Sequence, residues 1–169
     1  MKALKIILTV AISSTSLASW ANNSVSIDQL LSRKGLSCDV ENTHLMHLSM
    51  KSVKNWNGFS YQFSKGRQTL TTGGVQYQGI QAAEVLKSNN GRQLALGINR
   101  ERFGLNIQRV AVNITEKPYE SFGYYWVAEG SPEQNRHALK ELFGKDRNWQ
   151  DYVSTTANGN TRITCILAG

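Results

Sequence analysis

The chain of 169 residues holds only two cysteines, Cys38 and Cys165, and they stand near its two ends. Whether they constrain the fold depends on where the chain works, because paired thiols oxidise outside the cytosol and stay reduced within it. The N-terminal residues address that question. Lys2 and Lys5 make a positive start, Ile6 to Ile12 is an apolar run, and Ser13 to Ser19 is small and polar. Ser19-Trp20-Ala21 then offers small residues at the −3 and −1 positions of a cut before Asn22. This is the layout of a secretory signal peptide over residues 1–21. A membrane span needs ~20 apolar residues, and the stretch from Ala3 to Ala18 is interrupted by Lys5, Thr9 and Ser13. The expected location is therefore periplasmic or secreted, and bacterial export suits the segment best. In that setting Cys38 and Cys165 are expected to pair and to close 22–169 into a single disulfide-closed α+β domain.

Removing residues 1–21 leaves 148 of the 169 residues, enough for one domain with a real core. The cut also removes Lys2 and Lys5, so the formal charge falls from +7 to +5. That charge is concentrated centrally. Between Lys51 and Val110, nine basic residues face only Glu84 and Glu101.

Hydrophobic patterning reads as mostly antiparallel β-sheet, meander-like, with a short N-terminal helix and one later helix. Ser26 and Gln29 have the spacing of a capping box, Ile27, Leu30 and Leu31 supply an apolar face, and Gly35 suits a left-handed helix end. Leu36 to Ser49 reads as extended. Asn57-Gly58, Lys65-Gly66, Gly73-Gly74 and Asn90-Gly91 mark turns between alternating segments. Ala82 to Lys87 fits helix or strand equally. Leu94, Leu96 and Ile98 share one parity, with a turn expected over Arg100 to Gly104. In the next strand the parity changes: Leu105 and Ile107 are odd, while Val110, Val112 and Ile114 are even. A strand keeps one parity on one face, so the change predicts a bulge at Gln108-Arg109, which would aim Arg109 outward or into a cleft. Phe122 to Ala128 is apolar on both parities, the signature of a central strand covered on both sides. A helix should follow, capped by Ser131, with Pro132 at its first position, Glu133 in its first turn and Gly144 at its end. Asn158-Gly159 then turns the chain into a last strand, Thr161 to Leu167, that carries Cys165.

Catalytic and metal patterns are thin. His44 and His47 are spaced by three in a segment read as extended, where such positions point to opposite faces, and zinc wants three or four ligands. His137 lies in the later helix without a nucleophile elbow. Glu120, Glu129 and Glu133 cluster near that helix, and Glu133 suits the helix dipole. No phosphate loop is present, and neither a cofactor nor a metal is expected. The basic residues at turns are the most distinctive feature. Lys65, Arg67, Arg92, Arg100, Arg102 and Arg109 are the candidate binding residues, interleaved with Trp56, Tyr61 and Phe103. Alternate turns of a meander share one end of a sheet, so several of these residues are expected to form one positive rim. Such a rim favours acidic partners.

These features point to an exported, non-catalytic binding protein, an inhibitor or immunity-type protein. It would occlude an acidic protein partner, a hydrolase or a toxin, through its basic strand and turn surface. One alternative is a small secreted hydrolase acting on nucleic acid or cell-wall glycan with His44, His137 and Glu129. A third is an assembly component of an envelope or secretion machine. Nucleic acid as partner is disfavoured by export and by the lack of a recognised motif.

Overall fold

The computed structural model describes residues 23–54, 58–88, 91–115 and 121–168. Residues 1–21, expected to be a signal peptide, and Trp56, Asn57, Asn90 and Glu120 lie outside the described residues. In chain order the elements are β1 (Ser24–Val25), α1 (Ile27–Leu30), α2 (Arg33–Leu36), α3 (His44–Ser52), β2 (Val53–Lys54), β3 (Gly58–Phe59), β4 (Gln62–Ser64), β5 (Thr69–Thr72), β6 (Val75–Gln78), β7 (Ala82–Ser88), β8 (Gly91–Arg102), β9 (Leu105–Thr115), β10 (Ser121–Ala128), α4 (Arg136–Phe143), β11 (Val153–Thr155) and β12 (Thr161–Ala168).

The class is α+β with mostly antiparallel sheets. A six-stranded sheet runs β11-β12-β10-β9-β8-β7, and a four-stranded sheet runs β1-β6-β5-β4. The segment Ala82–Ser88 settles as strand β7, paired with β8 from Ala82↔Gly97 to Ser88↔Gly91. Strands β7 to β10 form a meander. Two departures from a simple meander follow from later pairing: β12 inserts between β10 and β11, and β1 lies parallel to β6.

The large sheet has two unlike faces. Leu94, Leu96, Val110, Val112, Tyr124 and Trp126 point to the helices and are buried with Leu30, Leu36, Leu45, Leu48, Leu139 and Leu142. The opposite face holds a small cluster of Ala95, Ala111, Tyr125 and Val127. Arg162 stacks over Tyr125 there, 3.9 Å from the ring centroid. β10 is thus buried on both parities, as its apolar run requires. The bulge also stands where the parity change places it. Val127 pairs with Arg109 and Ala128 with Ile107, which leaves Gln108 out of the β9–β10 ladder. On the other side the register jumps from Gly97↔Arg109 to Arg100↔Ile107. Asn99 takes the left-handed backbone conformation this needs, at φ 61°.

The helices correct the sequence reading in three places. The Ser26–Gln29 capping box forms, but α1 ends at Leu31, and Gly35 lies inside a second short helix capped by Ser32. A Cβ at Gly35 would meet Leu45 Cδ1 at 3.0 Å, so glycine there serves close packing rather than a left-handed end. Second, the segment read as extended contains α3, whose first turn is capped by Thr43 Oγ1 accepting from the Met46 N–H at 3.1 Å. Its buried face is Leu45, Leu48, Ser49 and Ser52. Two serines supply half of that face, and they hid the helical period. His44 and His47 therefore sit one turn apart on the same helix. Third, Ser131 and Gln134 bond reciprocally, but the helix proper starts later, after Asn135, so Glu133 precedes it and pairs with Arg136 at 3.3 Å. Gly144 ends α4 with φ 74°.

Helix α2 is only one turn long, and its last two carbonyls, with that of its C-cap Ser37, accept from side chains elsewhere in the protein. Gly35 O accepts from Tyr124 Oη at 2.6 Å, Leu36 O from Trp126 Nε1 at 2.9 Å, and Ser37 O from Arg147 Nη1 at 3.1 Å. The chain leaves α2 through Cys38 at φ 59°, with Cys38 N donating to Gly35 O and Asp39 N to Lys34 O. This is a Schellman ending with cysteine in the usual glycine place. Cys38 is disulfide-bonded to Cys165, 127 residues later, and Cys165 is the strand partner of Tyr124. Closing a loop of that size stabilises the fold by ~5 kcal/mol on the chain-entropy model.

Two buried tyrosines make opposite contributions. Tyr124 satisfies a buried carbonyl, whereas the Tyr77 hydroxyl is buried without a partner among the described residues. Tyr124→Phe should lower the unfolding free energy by ~0.5–1.5 kcal/mol, since Gly35 O keeps the Cys38 N–H, and Tyr77→Phe should leave it unchanged or raise it. Burial pushes the Tyr77 phenol from 10 up to about 12. The folded state therefore holds that proton after the unfolded chain has lost it, and stability present below pH 10 declines between pH 10 and 12. Urea unfolding across that window should show a shallower decline in Tyr77→Phe. A parallel decline would contradict the assignment.

Candidate functional site

The end of the β8–β9 hairpin gathers the densest set of cations among the candidate residues. Beyond the bulge, Arg100 pairs with Ile107 and Arg102 with Leu105, and Phe103-Gly104 alone makes the turn. The turn is thus two residues, shorter than the expected Arg100–Gly104. Both turn residues have positive φ, 51° at Phe103 and 73° at Gly104, as a type I′ hairpin requires. Phenylalanine is a poor choice there. A left-handed non-glycine residue costs about 1–2 kcal/mol, and asparagine or glycine would bear it better.

The ring is held by two guanidiniums. The Arg102 Cζ lies 4.7 Å from the Phe103 centroid, and the Arg33 Cζ, from α2, lies 4.9 Å from it. Each cation–π contact at an exposed site contributes ~0.5–1 kcal/mol. Arg33 Nη1 also donates to Glu141 O at 2.6 Å, and Arg102 Nε to Leu31 O at 3.5 Å. Arg100 grips Asp28 with two hydrogen bonds, Nε to Oδ1 at 3.0 Å and Nη2 to Oδ2 at 2.8 Å. That guanidinium holds the Asp28 carboxyl below its ordinary range. The cluster brings three guanidiniums, Arg33, Arg100 and Arg102, together with the carboxylate of Asp28, while the exposed Glu101 lies between the two hairpin arginines in the chain. Arg100 remains half exposed.

The other candidates are distributed around the molecule. Lys65 and Arg67 are exposed on the β4–β5 turn. That turn belongs to the α1 side: Ile80 N donates to Gln68 O, and a Cβ at Gly79 would touch Ile27, the neighbour of Asp28. Arg92 opens β8 at its other end, eight residues from Arg100 and so ~27 Å away along the strand. Arg109 pairs with Gly97 and Val127 on the opposite face of the sheet, where it lines a cleft. The structure brings Arg100 and Arg102 together and separates Arg92 and Arg109 from them. Tyr61 packs half-buried against the core. Arg33 and Asp28 are members that sequence reasoning missed. Each is about 70 residues from its partner on the hairpin, and no local spacing signals such a contact.

The candidates for hydrolytic chemistry sit apart. His44 is the first residue of α3, His137 is exposed on α4, and Glu129 follows β10, where its carboxylate accepts from Asn106 Nδ2 at 2.7 Å. Among the described residues no hydrogen bond or ion pair joins any two of them, and no three His, Cys, Asp or Glu side chains converge as metal ligands. No helix among them is long and apolar enough to cross a membrane, and the disulfide is compatible with a periplasmic or extracellular location.

No protein-family model, curated protein or solved structure matches the chain. The functional reading therefore rests on its own residues.

Substitution at Phe103 separates backbone strain from ring packing. Phe103→Asn should remain within ~1 kcal/mol of the parent in urea unfolding, because relieved strain offsets the lost ring contacts. Phe103→Val keeps the strain, loses the ring and should cost ~2 kcal/mol or more. Equal stabilities for the two variants would contradict the strained-turn account.

Proposed function

We propose that the protein is an exported, periplasmic or secreted, non-catalytic binding protein of the inhibitor or immunity type. It occludes an acidic site on a protein partner, a hydrolase or toxin, with the end of the β8–β9 hairpin. The observation that carries this reading is Phe103: a partly exposed aromatic held in a strained turn and clamped by Arg33 and Arg102. Strain of this kind persists where surrounding contacts over-determine it, and it concentrates at functional sites. Aromatic and arginine side chains dominate binding hot spots. A ring and guanidiniums already held in place lose little conformational entropy on association. The positive charge that Arg33, Arg100 and Arg102 keep in excess of Asp28 and Glu101, with Lys65 and Arg67 on the same side, steers an acidic partner toward the tip.

The test is capture from periplasmic and culture fluid at low salt with the parent protein and with Arg100→Glu/Arg102→Glu. The parent should retain a protein that the charge-reversed variant does not. Raising the salt from ~0.05 M to ~0.5 M should release it, since exposed charges are screened over such a change. A partner held equally by both, or no partner in repeated captures, would count against the proposal.

A further inference from the structure

The sheet face opposite the helices carries a second site. A cleft of about 260 Å³ opens over β7, β8, β9 and β10, with Ala82, Ala95, Gly97 and Val127 as its floor. Small residues in register on neighbouring strands make it concave: Ala82 pairs with Gly97, and a Cβ at Gly97 would meet Ala82 Cβ at 3.2 Å. The rim is built from planar or hydroxylic polar groups: Glu84, Gln108, Arg109, Thr156, Asn158 and Asn160. Asn160 ties the rim together. Its Nδ2 donates to the bulged Gln108 Oε1 at 3.3 Å, its Oδ1 accepts from Gly130 N at 3.1 Å, and its backbone N donates to Thr156 Oγ1 at 3.0 Å. The bulge at Gln108 thus joins the sheet to the 156–160 loop and sets Arg109 on the rim.

We infer that this cleft binds a neutral polyhydroxyl ligand, a short stretch of glycan. Three features select that chemistry. First, the floor centres on β8, which is paired on both sides at Ala95 and Gly97. Its backbone groups belong to the ladder, so a peptide lying across the floor finds no free backbone there, and the sheet's open edge is confined to the outer side of β7, at the margin of the cleft. Second, the rim holds one carboxylate and one guanidinium, Glu84 and Arg109, on strands separated by β8, and no ion pair joins them among the described residues. An anion would meet Glu84 and a cation would meet Arg109. A ligand whose hydroxyls both donate and accept uses both groups without either penalty. Third, an apolar floor under a polar rim matches a pyranose, which offers C–H faces and a ring of hydroxyls. The volume suits roughly one or two such rings, below the drug-sized range. The site lies on the other face of the sheet from the Arg33–Phe103–Arg102 cluster and is independent of the partner proposed for the hairpin.

The test is titration of isotope-labelled, disulfide-intact protein with maltotriose, cellotriose and N-acetylchitotriose, read by amide chemical shifts, alongside pull-down on the corresponding insoluble polymers. At least one free sugar should shift the amides of 82–84, 95–97, 108–109 and 156–160, with a Kd on the order of 1 mM. Retention on a polymer, lost in the variant below, places the ligand in a chain rather than a free sugar. Glu84→Met/Arg109→Met, at exposed positions and checked for an unchanged unfolding midpoint, should weaken either form of binding about tenfold or more. The inference is overturned if no sugar or polymer binds, if binding survives the double variant, or if phosphate or glycylglycine moves the same amides as strongly as the sugars.

Discussion

Three consecutive carbonyls, those of Gly35, Leu36 and Ser37, are each taken by a side chain from the body of the protein, and the remaining architecture of the N-terminal third depends on this. A one-turn helix has almost no stability alone, since nucleation is unfavourable and its last carbonyls find no partner within it. Tyr124 and Trp126 on the central strand supply the donors, and Arg147 adds a third while pairing with Asp39 at 3.7 Å. The chain then turns left-handed at Cys38 and is covalently fixed to the strand beside Tyr124. Directional hydrogen bonds set where α2 lies, and the disulfide restricts how far it can leave. Arg33 is on that same turn of helix. Its position against Phe103 is a consequence of how the Gly35–Cys38 segment is held.

The bulge at Gln108 divides the large sheet into two unlike surfaces. Toward the turn it shifts register, so that Arg100 and Arg102 pair with Ile107 and Leu105 on the helix-facing side. Toward the centre it leaves Arg109 on the other face, opposite Gly97 and Val127. One unpaired residue therefore separates a cationic tip from a charge-balanced cleft. The basic residues of the central strands do not act as a single field. Their sign is shared, but strand parity and the length of β8 assign them to different surfaces.

The parts of this fold legible in the sequence were those written in strand parity and short-range capping. The parity change in β9 located the bulge, the two-parity apolar run located β10, and Ser26 with Gln29 located the first helix. The pairing of Cys38 with Cys165 followed from the export reading and is present. Helix α3 escaped because Ser49 and Ser52 fill buried positions where an apolar period is sought. Gly35 was misread because close packing and left-handed backbone both favour glycine, and the left-handed place belongs to Cys38. Of the candidate site, Arg100, Arg102 and Phe103 were visible as a basic and aromatic turn. Arg33 and Asp28 were not, because the contacts that recruit them depend on the docking of α1 and α2, which only tertiary structure specifies.

The hairpin tip is assembled within the protein on its own, with Phe103 clamped between Arg33 and Arg102. Side-chain proton shifts of the isolated, disulfide-intact protein measure this clamp. The δ-methylene protons of both arginines should lie upfield of their random-coil positions through the ring current of Phe103, and both should return toward those positions in Phe103→Asn. Random-coil shifts for Arg33 and Arg102 in the parent protein would show a ring free of its clamp and would contradict the account.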